Sequence, residues 1–360
     1  MVGQGPPYKR PIRHTEKQAG LSRFSLGFPP SWRETGRLED RAARNTAGAP
    51  ESILQSAPTR RHFLRVTLGS LLLPNLARAD DASEVEAIAV KAGLGAFGRT
   101  ETAHFLAIGD ASSDYRAEAL NASEKMAKDF LDDFALKGFA DLAYPKRRMT
   151  VVILADAKSY AAYTGEKTNL AIGGHFELDT NRLVTFDFRG NQAQVGAAAE
   201  RINSFILFHE TSHQLTFNVG LLSLKADIPL CVSEGLATYG EVWRPNGHGR
   251  VGQVNKDRLE GIPSTARRLR ESWLPLPRLI ADDELLRVEK TQQMAYAQSW
   301  ILIHSHLKNP EKRPRLRAYL AAINTRRDAR SRLEDAKTHL GDLTKLDAEM
   351  RLYARRPIGQ

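Results

Sequence analysis

The chain has 360 residues, room for one large domain or two modest ones, and its 42% hydrophobic content is that of an ordinary folded protein. A formal net charge of +10 invites a nucleic-acid or membrane-surface reading, but residues 1–79 carry 13 Lys+Arg against 5 Asp+Glu, and the remaining 281 residues carry 39 against 37. The basic excess therefore belongs to the leader and gives no basis for nucleic-acid binding, while the single cysteine, Cys231, excludes an internal disulfide or a multi-cysteine zinc site.

Residues 1–59 are rich in Pro, Gly and Arg and lack sustained apolar periodicity, so they have too little to bury to offset their ordering entropy. They are expected to be disordered, or to be a misassigned extension, with residues 1–52 ahead of a true translation start near Ile53 or Leu54. Thr59-Arg60-Arg61-His62-Phe63-Leu64-Arg65 then leads into the apolar run Val66 to Leu76, followed by Ala77-Arg78-Ala79 ahead of Asp80. Residues 60–79 read as a twin-arginine-type signal peptide. The run is shorter than the roughly 20 residues a membrane span needs. An exported protein is expected, periplasmic or extracellular, with no stable membrane anchor after cleavage.

In the remaining 80–360, Thr102 to Ile108 reads as a strand and Ala117 to Lys137 as an amphipathic helix ending at Gly138. Met149 to Leu154, rich in β-branched residues, reads as a strong strand, with a short helix around Ser159 to Tyr163. His175 to Leu178 and Leu183 to Phe188 read as a hairpin across Asp179-Thr180-Asn181-Arg182. From Ala197 onward the pattern is almost entirely helical, with breaks at Gly220, Pro245-Asn246-Gly247 and Pro275-Leu276-Pro277. The expected fold class is α+β: a small mixed sheet with a hairpin over about 100–190, then a mainly helical half over about 197–360.

His209-Glu210-Thr211-Ser212-His213 places two histidines one helical turn apart, so both imidazoles can reach one ion. Glu210 stands beside the first of them, where it can take a proton from water on the ion without ligating it. Ile202, Phe205 and Ile206 continue the same stripe, which points the histidines inward. Twenty-one residues after His213, Glu234 lies on a second expected helix, for which Asp227 is a candidate N-cap and Pro229 a first-turn residue. Gly235 would let this helix approach the first closely. Two histidines and one carboxylate leave a fourth position open, as catalytic zinc sites do. Thr216 and Val219 stand where the metzincin continuation needs Gly and His. The competing reading is a metal-free polar network of two core histidines satisfied by carboxylates.

His209-Glu210-x-x-His213-Gln214 followed by Pro229-x-x-x-Ser233-Glu234-Gly235-Leu236-Ala237-x-Tyr239 resembles the peptidase MA-like bacterial proteins often catalogued as a domain of unknown function, which belong with the thermolysin-like gluzincins. The similarity extends over roughly 100–310 and includes Gly173-Gly174-His175-Phe176 and Tyr296-Ala297-Gln298-Ser299-Trp300. It implies a zincin-like core, Zn2+ held by His209, His213 and Glu234, Glu210 as general base, and a protein or peptide substrate. One position departs from the thermolysin-like pattern. The aspartate expected four residues after the ligand glutamate is Thr238, and Glu241 lies nearly a further turn along. The group that orients a ligating histidine must then come from elsewhere, or affinity falls.

Hydrolysis would also require a donor to the oxyanion, for which Tyr239, Tyr296 and His175 are candidates. Leu183 to Phe188 or its hairpin partner could receive extended peptide, although strand order is not readable from sequence. Three functions compete: an exported zinc endopeptidase, a zinc amidase acting on cell-wall peptides, and a non-catalytic envelope binding or scaffold protein on the same fold.

Overall fold

The computed structural model describes residues 81–165, 173–190 and 196–355. The expected export signal and the residues before it lie outside these. Five strands form one mixed sheet in the order β1-β2-β3-β5-β4. They are β1 (Gly98–Glu101), β2 (Phe105–Gly109), β3 (Met149–Leu154), β4 (Gly174–Glu177) and β5 (Arg182–Phe186). The centre, β2-β3-β5, is parallel, and each outer strand is added antiparallel. β3 is buried along its whole length, as its β-branched run anticipates for the middle of a covered sheet. The expected hairpin is present, with β4 and β5 in register from Gly174↔Thr185 to Glu177↔Arg182, and Asn181 takes the left-handed conformation (φ 58°) at the turn.

The strand expected over Thr102 to Ile108 begins only at Phe105, as β2, and an unexpected strand, β1, precedes it. The Thr102 backbone N–H and hydroxyl both turn back to the Phe105 carbonyl, so the chain reverses between β1 and β2. Two helices cover one face of the sheet, α1 (Asp81–Lys91) and α3 (Ala157–Thr164), through Val85, Tyr160 and Tyr163 packed on Val152, Val184 and Phe186. On the other face α2 (Ser113–Leu136), the expected helix begun one turn earlier with Ser112 as its cap, packs Met126, Phe130 and Phe134 toward Val151, Ile153 and Phe176.

The helical half starts with α4 (Ala197–Asn218) and α5 (Leu230–Gly240). It continues through α6 (Lys256–Leu259), α7 (Ala266–Ser272), α8 (Leu276–Ala281), α9 (Glu289–Lys308), α10 (Arg313–Ile323), α11 (Arg332–Leu340) and α12 (Leu343–Arg355). The molecule is thus α+β, a small mixed sheet followed by helices. No helix among the described residues is long and apolar enough to cross a membrane.

Two details of the helix pair differ from expectation. Pro229, not Asp227, occupies the N-cap of α5, and the Leu230 amide is capped from a distance by Asp283 (2.9 Å). Asp227 instead pairs with Arg332, which also holds Asp283. Gly235 does not face α4. A Cβ there would lie 2.5 Å from the Ser299 carbonyl of α9, so its missing side chain sets the α5–α9 approach. The contact with α4 is made at Gly240, where a Cβ would lie 2.1 Å from Ser212 Oγ.

Candidate metal centre

α4 is buried all round from Phe205 to Phe217, not along one stripe. That removes its polar side chains from water as well, and each then needs a partner inside the protein. Most find one: Gln214 donates to the Thr150 carbonyl (2.8 Å), Ser212 to Phe208 (2.7 Å) and Thr216 to His213 (2.9 Å). Glu210 does not. It is 0% exposed, and neither carboxylate oxygen has a hydrogen-bond partner among the described residues. Burial drives its pKa up to about 8, against the pull of His209. The Phe176 amide of the edge strand β4 offsets this further but falls short of a hydrogen bond.

One turn of α4 brings His209 and His213 together, their ring centroids 4.9 Å apart, and α5 carries Glu234 to both. Glu234 Oε2 lies 3.2 Å from His209 Nε2 and 3.4 Å from His213 Nε2. Ser233 Oγ contacts His213 Nδ1 at 3.1 Å, holding the far side of that ring. Burial opposes charge on Glu234, but the two histidines overturn it and hold its carboxyl near 2. Burial likewise opposes a proton on His209, and its contacts with Glu234 and Glu241 overcome it, raising the imidazole to about 9. His213 is lowered, because burial outweighs the attraction of Glu234.

The orienting group missing at Thr238 is supplied by Glu241. Thr238 donates to its own helix, to the carbonyls of Glu234 (2.8 Å) and Gly235 (3.0 Å). Glu241 Oε2 lies 2.7 Å from His209 Nδ1. Arg258, 1% exposed, grips the same carboxylate with Nε on Oε1 and Nη2 on Oε2, both at 2.8 Å. Asn255 adds a third donor at 2.6 Å. Sequence spacing held a signal for Glu241, since seven residues beyond Glu234 is two helical turns and hence the same face. Nothing local could have found Arg258, which arrives from beyond the loop after α5.

These residues fit a divalent cation on three counts. The ligand atoms of His209, His213 and Glu234 lie within 4.8 Å of one another, so the group could hold a metal ion. Tetrahedral coordination with bonds near 2.0–2.2 Å sets ligand-to-ligand edges of about 3.3 Å, and the two nitrogen–carboxylate distances are 3.2 and 3.4 Å. Around the imidazoles, the buried carboxylates Glu234 and Glu241 face one buried guanidinium, Arg258, and the second positive charge is the proton drawn onto His209, a place that a cation at the ring nitrogen would take.

The candidate oxyanion donors are placed differently. Tyr239 gives its hydroxyl to Asp133 of α2 (3.0 Å) and packs on Phe134, so it is committed away from the cluster. His175 is held at both ring nitrogens, by Tyr160 (2.5 Å) and Glu177 (3.1 Å). Tyr296 is the one beside the cluster, its ring 6.3 Å from that of His209 and directly under Arg258 at 4.5 Å.

The family described as a protein of unknown function (DUF1570) matches residues 204–328, a stretch that contains both histidines, Glu210, Glu234, Glu241 and Arg258. No curated protein matches the chain.

Proposed function

We propose that this protein is an exported zinc-dependent metallohydrolase, a metallopeptidase of gluzincin type that cleaves peptide bonds. The observation that carries the reading is the contrast at the centre of α4. His209, His213 and Glu234 converge, with both nitrogen–carboxylate distances at 3.2–3.4 Å, while the adjacent Glu210 is buried with no hydrogen-bond partner on either oxygen among the described residues. A core has no use for such a group, because a buried carboxyl without a partner costs free energy whether it keeps its charge or gives it up to a proton. A catalytic base does, because it must accept a proton and release it near neutral pH.

The bound ion would supply Lewis acidity toward a carbonyl oxygen and a more acidic water. Glu210 would accept a proton from the attacking water on a carboxylate oxygen as the water oxygen bonds to the carbonyl carbon, and would return it to the nitrogen as the C–N bond breaks. His209 and His213 keep their Nε2 atoms directed at Glu234. Tyr296 is the donor best placed for the developing oxyanion. The outer position of β4 makes Gly174–Glu177, rather than β5, the strand that can accept an extended peptide. Export rests on Arg60-Arg61 and the apolar run behind them. A cell-wall peptide amide is a substrate of the same chemistry.

A second reading is favoured by one feature. His209, Glu210, His213 and Glu234 are all 0–1% exposed, as in a structural centre closed to substrate. In that reading the protein is a non-catalytic envelope binding or scaffold protein. Glu210→Gln separates the two. Elemental mass spectrometry on the protein lacking residues 1–79 should show about one zinc per chain in parent and variant alike. A peptide-library cleavage screen should show turnover in the parent only. Equal amounts of metal with no cleavage by either protein would leave the structural-centre reading standing.

A further inference from the structure

We propose that Glu241 and Arg258 form one positioning unit that fixes the ion-binding form of His209, so that Arg258 sets metal affinity without touching a ligand. This rests on the metal-centre reading. Four N–H directions converge on the Glu241 carboxylate: Arg258 Nε and Asn255 Nδ2 on Oε1, and Arg258 Nη2 and His209 Nδ1 on Oε2. Arg258 and the Asn255 amide can only donate at these positions. An ionised carboxylate, all acceptor, therefore satisfies every contact. With Oε2 acting as acceptor, a proton of His209 is held on Nδ1, which leaves Nε2 as the nitrogen that can ligate the ion.

Arg258 makes this arrangement persist. Its guanidinium cannot lose its proton, forms a planar two-point fork on Glu241, and is itself trapped between the rings of Tyr296 (4.5 Å) and Phe205 (5.3 Å). Asn255, which also donates to the Thr238 carbonyl (3.0 Å), ties the segment carrying Arg258 to the end of α5. Hence the turn over Asn255–Leu259, distant from the ion, is part of what holds it. A glutamine at 241 cannot replace the glutamate. Whichever way its amide is turned, an N–H₂ group meets a guanidinium N–H.

The test measures zinc affinity by chelator competition, the visible absorption of the cobalt(II)-substituted protein, and the thermal midpoint of the metal-free protein. Glu241→Gln and Arg258→Met are each expected to weaken zinc binding about 10–100-fold and to alter the cobalt(II) spectrum. The double variant should be no weaker than the worse single, because both remove one unit. Arg258→Lys keeps the charge and loses the fork, and serves if Arg258→Met does not fold. Its affinity is expected to fall between those of the parent and Glu241→Gln. Thermal midpoints that fall while zinc affinity and the cobalt(II) spectrum match the parent would overturn the proposal. So would losses that add in the double variant. A parent that binds neither ion overturns the metal-centre reading itself, a distinct outcome.

Discussion

Gly235→Ala tests the link between helix packing and the metal centre most directly. The added methyl would lie 2.5 Å from the Ser299 carbonyl oxygen and 2.6 Å from Ile303 Cγ1, where ordinary contact starts at 3.4 Å. The Ser299 oxygen is helix backbone and cannot rotate away, so α5 and α9 must separate by about 0.9 Å at this point. Alanine regains roughly 1 kcal/mol of helix propensity, but overpacking costs typically 1–3 kcal/mol and sometimes more. The net expectation is about 0–2 kcal/mol of destabilisation. The larger effect falls next door: Glu234 moves with the backbone, whereas ligand distances tolerate only about ±0.2 Å. Zinc affinity should therefore drop by an order of magnitude or more. Gly240→Ala is the control. Its methyl meets the side-chain atoms Ser212 Oγ (2.1 Å), Met126 Cε (3.0 Å) and Ser212 Cβ (3.1 Å), so Ser212→Ala removes the tightest contact and should rescue it in part. Denaturant unfolding and chelator competition read both effects. A Gly235→Ala protein with parental midpoint and parental zinc affinity would refute the reasoning.

Other perturbations follow from single features. His304 and His306 are buried in α9 and lowered to about 4, chiefly by burial. Because the unfolded imidazoles titrate near 6.5, the unfolded state binds more protons between pH 6.5 and 4, and stability is lost as pH falls through that window, by about 3 kcal/mol per group. His306→Asn, which retains a donor to the Leu302 carbonyl, should flatten the pH dependence of the thermal midpoint there, and an unchanged slope would contradict the assignment. Asp283→Ala removes the cap of α5 and one partner of Arg332, and should cost about 1–3 kcal/mol by denaturant unfolding. A cost below about 0.5 kcal/mol would mean that the cap contributes little. Asn181→Ala loses both tolerance of φ 58° and the reciprocal amide pair with Asn218 (2.7 and 2.8 Å), and should destabilise by about 1–2 kcal/mol, more than Asn181→Gly.

What the sequence disclosed was whatever depends on short spacing. His209, His213 and Glu234 converge because four residues is one helical turn and because the second helix could be recognised from its first residues. The hairpin from Gly174 to Phe186 was visible in its alternation and turn chemistry. What stayed hidden depends on elements far apart in the chain. The sheet order that puts β4 outside is one example. The neighbour of Gly235, Ser299, lies 64 residues on and has no local signature. The solvent-excluded state of α4 was hidden too, since Thr211, Ser212, Gln214 and Thr216 are polar and lie off the stripe of Ile202, Phe205 and Ile206, and their burial depends on both flanking layers. The cap on α5 failed as a local inference because Asp227 is claimed by Arg332 more than a hundred residues away.

That last contact carries a consequence for how the chain matures. The helix presenting Glu234 is pinned at its first turn by Asp283, and Asp283 is in turn gripped by Arg332, four residues past the end of the family match at 328. A fragment cut to 204–328 would contain every candidate ligand yet lack both this grip and the sheet beneath α4. Contacts of such long sequence separation form late, because the entropy of closing the loops must be met first. A stably held ion would accordingly mark a chain that has finished folding, and metal content would report assembly of the whole domain as much as readiness of its chemistry.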